Sequence, residues 1–352
     1  MAAGSETPSL RCRSLLLVLA TLGLMWAAEG RRLHFVNLIY RHGDRSPINK
    51  YPTNPYTEED WPQGLGQLTQ VGMRQQYELG QFLRERYKDF LNSSYDRREI
   101  YVRSTDIDRT LMSARANLAG LYPPHGHQIF RPDLNWQPIP VHTVPLIYEK
   151  LLKFPLSNCP RYEKLLKESL NSKRIEKTVE ENQDFLDMVS EKSKLKVIFT
   201  NVWKLYDTLF CEHDTTLIAL QMALNVYSGN IPPYASCYMF ELYQENDGSF
   251  TLDMYFRNDT SIDPHLLALP SCSEHCPLQK FIQNTKDLIS DNRDEECGLA
   301  SQVSSCILAE RIVIAVLSVC LLLLILVLII QHCFWKRKTR HHRVPSNSEE
   351  LA

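Results

Sequence analysis

Arg41-His42-Gly43-Asp44-Arg45-Ser46-Pro47 sets two arginines around a histidine on a glycine loop. Guanidinium groups are permanently charged planar forks that match the oxygens of a phosphate. Burying three cationic groups together is costly unless an anion joins them. The grouping therefore reads as a site for a phosphate-like anion, with His42 placed to attack phosphorus as a neutral imidazole. Gly43 lets the backbone approach closely. Arg103, in Tyr101-Val-Arg-Ser-Thr105, is a third candidate anion ligand; taken alone it reads equally as a solvated surface charge. His213-Asp214 stands where a helix begins. A carboxylic acid there can protonate a leaving oxygen, and the histidine can bind a phosphoryl oxygen. Taken alone that pair reads as a cap, because Asp is a good N-cap.

These residues need elements to position them. Leu33 to Tyr40 is a short, largely apolar run that predicts a buried strand ending at the Arg41 loop. Glu99 to Val102 predicts a second strand ending at Arg103. If the two are parallel neighbours, Arg103 and His42 emerge at one sheet edge. Helices are predicted over 68–87 and 108–121, and again after Asp214, over Thr215 to Tyr227. Strand, polar loop and helix thus alternate twice, which argues for an α/β sheet with ligands at the strand C-terminal ends. Between 123 and 193 the chain is proline-rich, then charged, and reads as excursions and a helical cap. Cys237 to Tyr243 and Ser249 to Phe256 flank Asp247-Gly248 and predict a hairpin.

The ends of the chain place it in a compartment. Arg11 and Arg13 precede an apolar run that closes on Ala28-Glu29-Gly30, so 1–30 reads as a secretory signal. A second apolar run, 312–330, carries no charge and is followed by Lys336, Arg337, Lys338, Arg340 and Arg343. A span near 310–331 with basic residues behind it predicts a lumenal 31–309 and a cytoplasmic 332–352. A net charge of -2 with no clustered basic face argues against nucleic-acid binding.

Seven cysteines lie between signal and span: Cys159, Cys211, Cys237, Cys272, Cys276, Cys297 and Cys306. In an oxidising lumen they should pair and leave one over. Cys272-Ser-Glu-His-Cys276 is open to reading as a zinc half-site, but no second ligand pair stands nearby, which favours a local disulfide. Asn92-Ser-Ser94 and Asn258-Asp-Thr260 are glycosylation sequons.

Arg41-His-Gly-Asp-Arg-Ser-Pro47 matches the signature of the histidine acid phosphatases at seven residues. Tyr101-Val-Arg-Ser-Thr-Asp-Ile-Asp-Arg-Thr-Leu-Met-Ser-Ala114 and His213-Asp-Thr-Thr-Leu217 resemble further blocks of the animal lysosomal and prostatic members. Similarity runs from about Leu33 to Cys297, and the terminal anchor resembles the lysosomal member. The resemblance implies a doubly wound α/β sheet with a helical cap, like phosphoglycerate mutase. It implies hydrolysis of phosphate monoesters with His42 as nucleophile and Asp214 as proton donor. Arg41, Arg45, Arg103 and His213 become phosphate ligands, with no metal and no other cofactor. It further implies disulfides Cys159–Cys297, Cys211–Cys237 and Cys272–Cys276, dimerisation, and a lysosomal membrane location with the cell surface second. The tail after the span has no tyrosine for a tyrosine-based sorting signal.

The chain departs from the family at 212/213. There a long helical stretch and a core strand precede the His-Asp block; here Cys211-Glu212 runs straight into His213. A spliced-out segment would leave this junction. The expected consequences are a missing central strand, unpaired neighbours and a like charge at Glu212 beside an anion site. The alternatives to a broad phosphatase are a catalytically impaired membrane glycoprotein and a narrower lysophospholipid or inositol-phosphate phosphatase.

Overall fold

The computed structural model describes residues 30–154, 158–210 and 214–340. It divides into two units, 1–157 with 170–289, and 158–169 with 290–352. The first carries the sheet. Strand β1 (Arg32–Tyr40) pairs antiparallel with β2 (Cys237–Gln244), β2 with β3 (Phe250–Arg257), and β3 with β4 (His265–Leu267) and β5 (Cys276–Pro277). The β2–β3 hairpin turns at Gly248, whose φ of 83° suits a residue without a side chain.

The helices, in chain order, are α1 (Gln70–Arg86), α2 (Asp108–Leu121), α3 (Pro160–Leu170), α4 (Lys173–Glu181) and α5 (Gln183–Ser193). They continue with α6 (Val202–Phe210), α7 (Thr215–Ala223), α8 (Leu278–Thr285), α9 (Arg293–Glu296) and α10 (Leu299–Arg340). Strand alternation sorts β2 between two layers. Cys237 and Met239 pack with Leu79 and Leu83 of α1 and Leu118 and Leu121 of α2. Tyr238 faces the other way, with Leu217 of α7 and Phe256 of β3. The sheet is thus covered by helices on both faces, the plan of a layered α/β fold. Helices α4 to α6 and their connections gather Leu186, Val197 and Leu205 against Tyr51, which makes the predicted helical cap.

The parallel pairing expected of residues 99–102 is not formed. That stretch makes no ladder with β1; Arg103 bridges to His142 instead, with Ser104 N–H donating to the His142 carbonyl. Among the described residues β1 is therefore paired on one edge only. A cavity of about 410 Å³ separates Phe35, Val36 and Leu38 from Ile100 and Val102. The reason lies in the chain: α6 ends at Phe210 and Asp214 already caps α7, so no stretch remains there to form an intervening strand.

In the second unit Cys159 is bonded to Cys297, and Arg161 N–H donates to the Cys297 carbonyl. Helix α10 contains 310–333, 24 residues whose most apolar 18-residue window has a mean hydropathy of 3.6, long and apolar enough to cross a membrane. Residues 1–29 of the expected signal lie outside the described residues. In the first unit Cys272 is bonded to Cys276. Of the expected Cys211–Cys237 bridge only Cys237 is described, as a buried free thiol packed with the α1–α2 layer. Helix α7, which follows Cys211 closely, packs on the opposite face, against Tyr238. Cys211 itself lies outside the described residues. Asn92 and Asn258 are both exposed.

Candidate active site

Strand β1 delivers the Arg41–Arg45 loop to the ends of α1 and α2. Arg41 N–H donates to the Ser236 carbonyl, and Ala235 N–H to that of His42. Gln76 of α1 donates to the Arg41 carbonyl at 2.7 Å, and Gly43 N–H donates to Ser113 Oγ of α2 at 3.1 Å. Asp44 N–H donates to Gln75 Oε1 at 2.8 Å, while the Thr69 hydroxyl, which also caps α1, donates to the Asp44 carboxylate. A side chain at Gly43 would overlap the backbone of Gly72, so both positions need glycine for the loop to lie on α1.

His42 is 8% exposed, and its Nδ1 lies 2.7 Å from the Gly43 carbonyl oxygen. A carbonyl oxygen only accepts, so Nδ1 carries the hydrogen and Nε2 keeps its lone pair. Burial first, then the charges of Arg41 and Arg109, hold the imidazole pKa well below its ordinary value. His42 thus favours the neutral imidazole, with the Nε2 lone pair free.

Each arginine foreseen at the site is held. Arg41 is buried, donates to the Pro232 carbonyl at 2.7 Å, stacks over Tyr234 and lies 3.7 Å from Asp214. Arg45 is buried against Asp207 of α6 and donates to the Ser46 carbonyl at 3.0 Å. Arg103 forks onto Glu149, whose oxygens lie 3.0 and 2.9 Å from Nη2. Glu149 also accepts Leu151 N–H and Leu152 N–H. Burial alone would raise the Glu149 pKa, but those amides and Arg103 together lower it. Asp214 caps α7 by accepting Leu217 N–H at 2.8 Å. Thr215 and Thr216 tie the same turn to the carbonyls of Phe154 and Leu152.

A cavity of about 290 Å³ is lined by Arg41, His42, Arg103, Arg109 and Asp214, so the separated motifs share one space. His213 lies outside the described residues. Sequence reasoning did not assign Arg109, Glu149 or Asp207. Arg109 stood inside the quoted Tyr101–Ala114 block; the two acids gave no local signal.

The chain matches the model of the histidine phosphatase superfamily (branch 2) over residues 32–216. It belongs to that superfamily. Human lysosomal acid phosphatase is 44% identical over 394 residues, covering 91% of this chain and 92% of the relative. Human prostatic acid phosphatase is 40% identical over 365 residues, covering 82% and 94%. Both aligned stretches exceed this chain's 352 residues, so each relative carries residues with no counterpart in this histidine phosphatase. The fold resembles solved phytases. The Klebsiella sp. enzyme superposes with a TM-score of 0.54 at 16% identity, covering 74% of this chain and 96% of that one. The Citrobacter braakii enzyme gives 0.52 at 15%, covering 76% and 99%. At such identities the likeness speaks for the fold alone.

Proposed function

We propose that this histidine phosphatase is an acid phosphatase that hydrolyses phosphate monoesters through a phosphohistidine at His42. The observation that carries the mechanism is the Nδ1–H to Gly43 carbonyl bond, which leaves Nε2 unprotonated in a cavity walled by arginines. Nε2 attacks phosphorus, the P–N bond forms and the P–O ester bond breaks. Asp214 gives its proton to the departing oxygen. Water then attacks phosphorus, Asp214 takes a proton from it, the P–N bond breaks and inorganic phosphate leaves. Arg41, Arg45, Arg103 and His213 hold the phosphoryl oxygens, and their charge offsets what develops there. Acid conditions suit the pair, because Asp214 must carry a proton while His42 carries none on Nε2.

The apolar run in α10 anchors the chain once in a membrane, with 31–309 lumenal, 332–352 cytoplasmic and 1–30 removed as a signal. The lysosomal membrane is the favoured location, the cell surface the second, and a homodimer the favoured assembly. Support comes from the span-length helix and from relatives named as lysosomal acid phosphatases. Labelled aryl phosphate, rapid quenching in alkaline denaturant and peptide mapping test the mechanism, because a P–N bond survives alkali. Label on His42, absent in His42→Ala, is the expected result; label on a serine, or no label on His42 during turnover, would overturn it.

A further inference from the structure

We infer that Arg109, on the first turn of α2, is a fourth ligand of the substrate's phosphoryl group and carries the uncompensated positive charge of the site. The inference rests on the phosphatase reading above and adds a residue to it. Arg41, Arg103 and Arg109 line the cavity, the charge of Arg45 is felt at Arg109, and three of these four arginines have a carboxylate at hand. Arg45 is matched by Asp207, Arg103 by Glu149, and Arg41 has Asp214 at 3.7 Å. Arg109 has no ion pair among the described residues. Its Nε is buried with no hydrogen-bond partner, although it lines the same cavity as His42.

The surroundings give no structural reason for a cation there. The first turn of a helix is its unfavourable end for positive charge, because the free N–H groups already point that way. Burial, followed by the repulsion of Arg45, pulls the Arg109 guanidinium down to about 10, a sign of a charge in want of an anion. Asp207 and Asp214 are near enough to oppose that shift, but both stand closer to other arginines. The charge of Arg109 is also felt at His42, after that of Arg41. A phosphoryl dianion seated before Nε2 of His42 would accept from Arg109 and relieve both effects. Arg103 is engaged by both Glu149 oxygens, whereas Arg109 lines the cavity without an ion pair among the described residues.

The test uses the full chain in detergent, with Arg109→Met and Arg109→Lys beside the parent. Inorganic phosphate is the probe, read as competitive inhibition of aryl-phosphate hydrolysis and as a rise in melting temperature. Arg109→Met should weaken phosphate by about tenfold or more, the worth of a hydrogen bond from a charged donor. Arg109→Lys should fall between. Without phosphate the Met variant should melt at or above the parent, since an unpartnered buried charge has gone. Phosphate affinity in Arg109→Met within about twofold of the parent overturns the inference, as does a parent that binds no phosphate at all. A parent that binds phosphate but hydrolyses nothing refutes the phosphatase reading alone, and the melting shifts still decide the role of Arg109.

Discussion

Glu149 grips Arg103, which lines the cavity that holds His42, with both carboxylate oxygens at 3.0 and 2.9 Å from Nη2. The arginine proposed as a phosphate ligand is thus already bound to a carboxylate. The Glu149 side chain is fully buried, whereas that of Arg103 is 26% exposed, so the acid has the less freedom to leave. Substrate must share Arg103 with a resident carboxylate.

Glu149→Gln should therefore tighten inorganic phosphate while lowering stability. The amide keeps one acceptor oxygen for Leu151 and Leu152 but loses the charge that competes for Arg103. A loss of about 1–3 kcal/mol is expected, since buried donors are left poorly satisfied. Phosphate inhibition and denaturant melts check the pair of effects; weaker phosphate binding would mean that Glu149 orients Arg103 rather than competing for it.

Asp214→Asn separates the cap from the chemistry. Asn caps helices about as well as Asp and can still accept Leu217 N–H, so the cap should survive, and any loss of stability should come from Arg41, which loses its carboxylate at 3.7 Å. It cannot donate an acidic proton. Alkyl phosphates, whose alkoxide leaving groups need that proton, should slow by about 10²–10⁴-fold, and aryl phosphates by much less. Rates across leaving groups of graded pKa are the measurement. A uniform loss would remove Asp214 from the role of acid.

His42 also predicts how stability depends on pH. Its folded pKa is depressed, by burial and then by Arg41 and Arg109, so only the unfolded chain takes up the proton as pH falls below about 6.5. The contribution of neutral His42 is fully present above that pH and declines beneath it, by about 1.4 kcal/mol per pH unit for one proton. Chemical denaturation of the parent and of His42→Gln between pH 7 and pH 5 should diverge by that slope. Parallel curves would mean that His42 takes up its proton in the folded state.

Much of this site was legible because its signals are local. The run Leu33 to Tyr40 forms β1, the glycine loop follows it, and Asp214 caps a helix as its type and place predict. The Asp247-Gly248 turn lies between β2 and β3. What escaped is long-range. Asp207 sits in a mostly apolar helix and Glu149 in a loop, and each gains meaning only from an arginine 162 or 46 positions away. The pairing of Cys237 was implied by the resemblance alone, and no local signal told which face of β2 its side chain takes. The strand expected at 99–102 failed for a different reason: extended residues become a strand only beside a partner, and β1 is too far off.

That open edge carries the last prediction. Restoring a strand-forming segment before His213 should raise both the melting temperature and the turnover of this chain. Strand β1 holds nine residues, and among the described residues it is paired only with β2. Its other edge borders the cavity of about 410 Å³ whose far wall is Ile100 and Val102, and Phe35 is 56% exposed. An extended segment laid there would satisfy the free edge of β1 and fill apolar space with packed side chains. Ladder bonds and two faces of packing together compare with the roughly 5–15 kcal/mol by which a domain is stable at all. The segment would also fix where the His-Asp block emerges. At present Asp214 follows α6 after three residues and takes its place from a cap bond and from the ties of Thr215 and Thr216. Misplacing a reacting group by about 1 Å can cost about 10²-fold in rate, so a sheet-held Asp214 should act faster than a helix-held one. Melting and aryl-phosphate turnover, measured side by side for this chain and for the version with the segment inserted, decide it. Equal melting with equal turnover would show that the fold tolerates an unpaired β1 and that the short connection already places Asp214 where the reaction needs it.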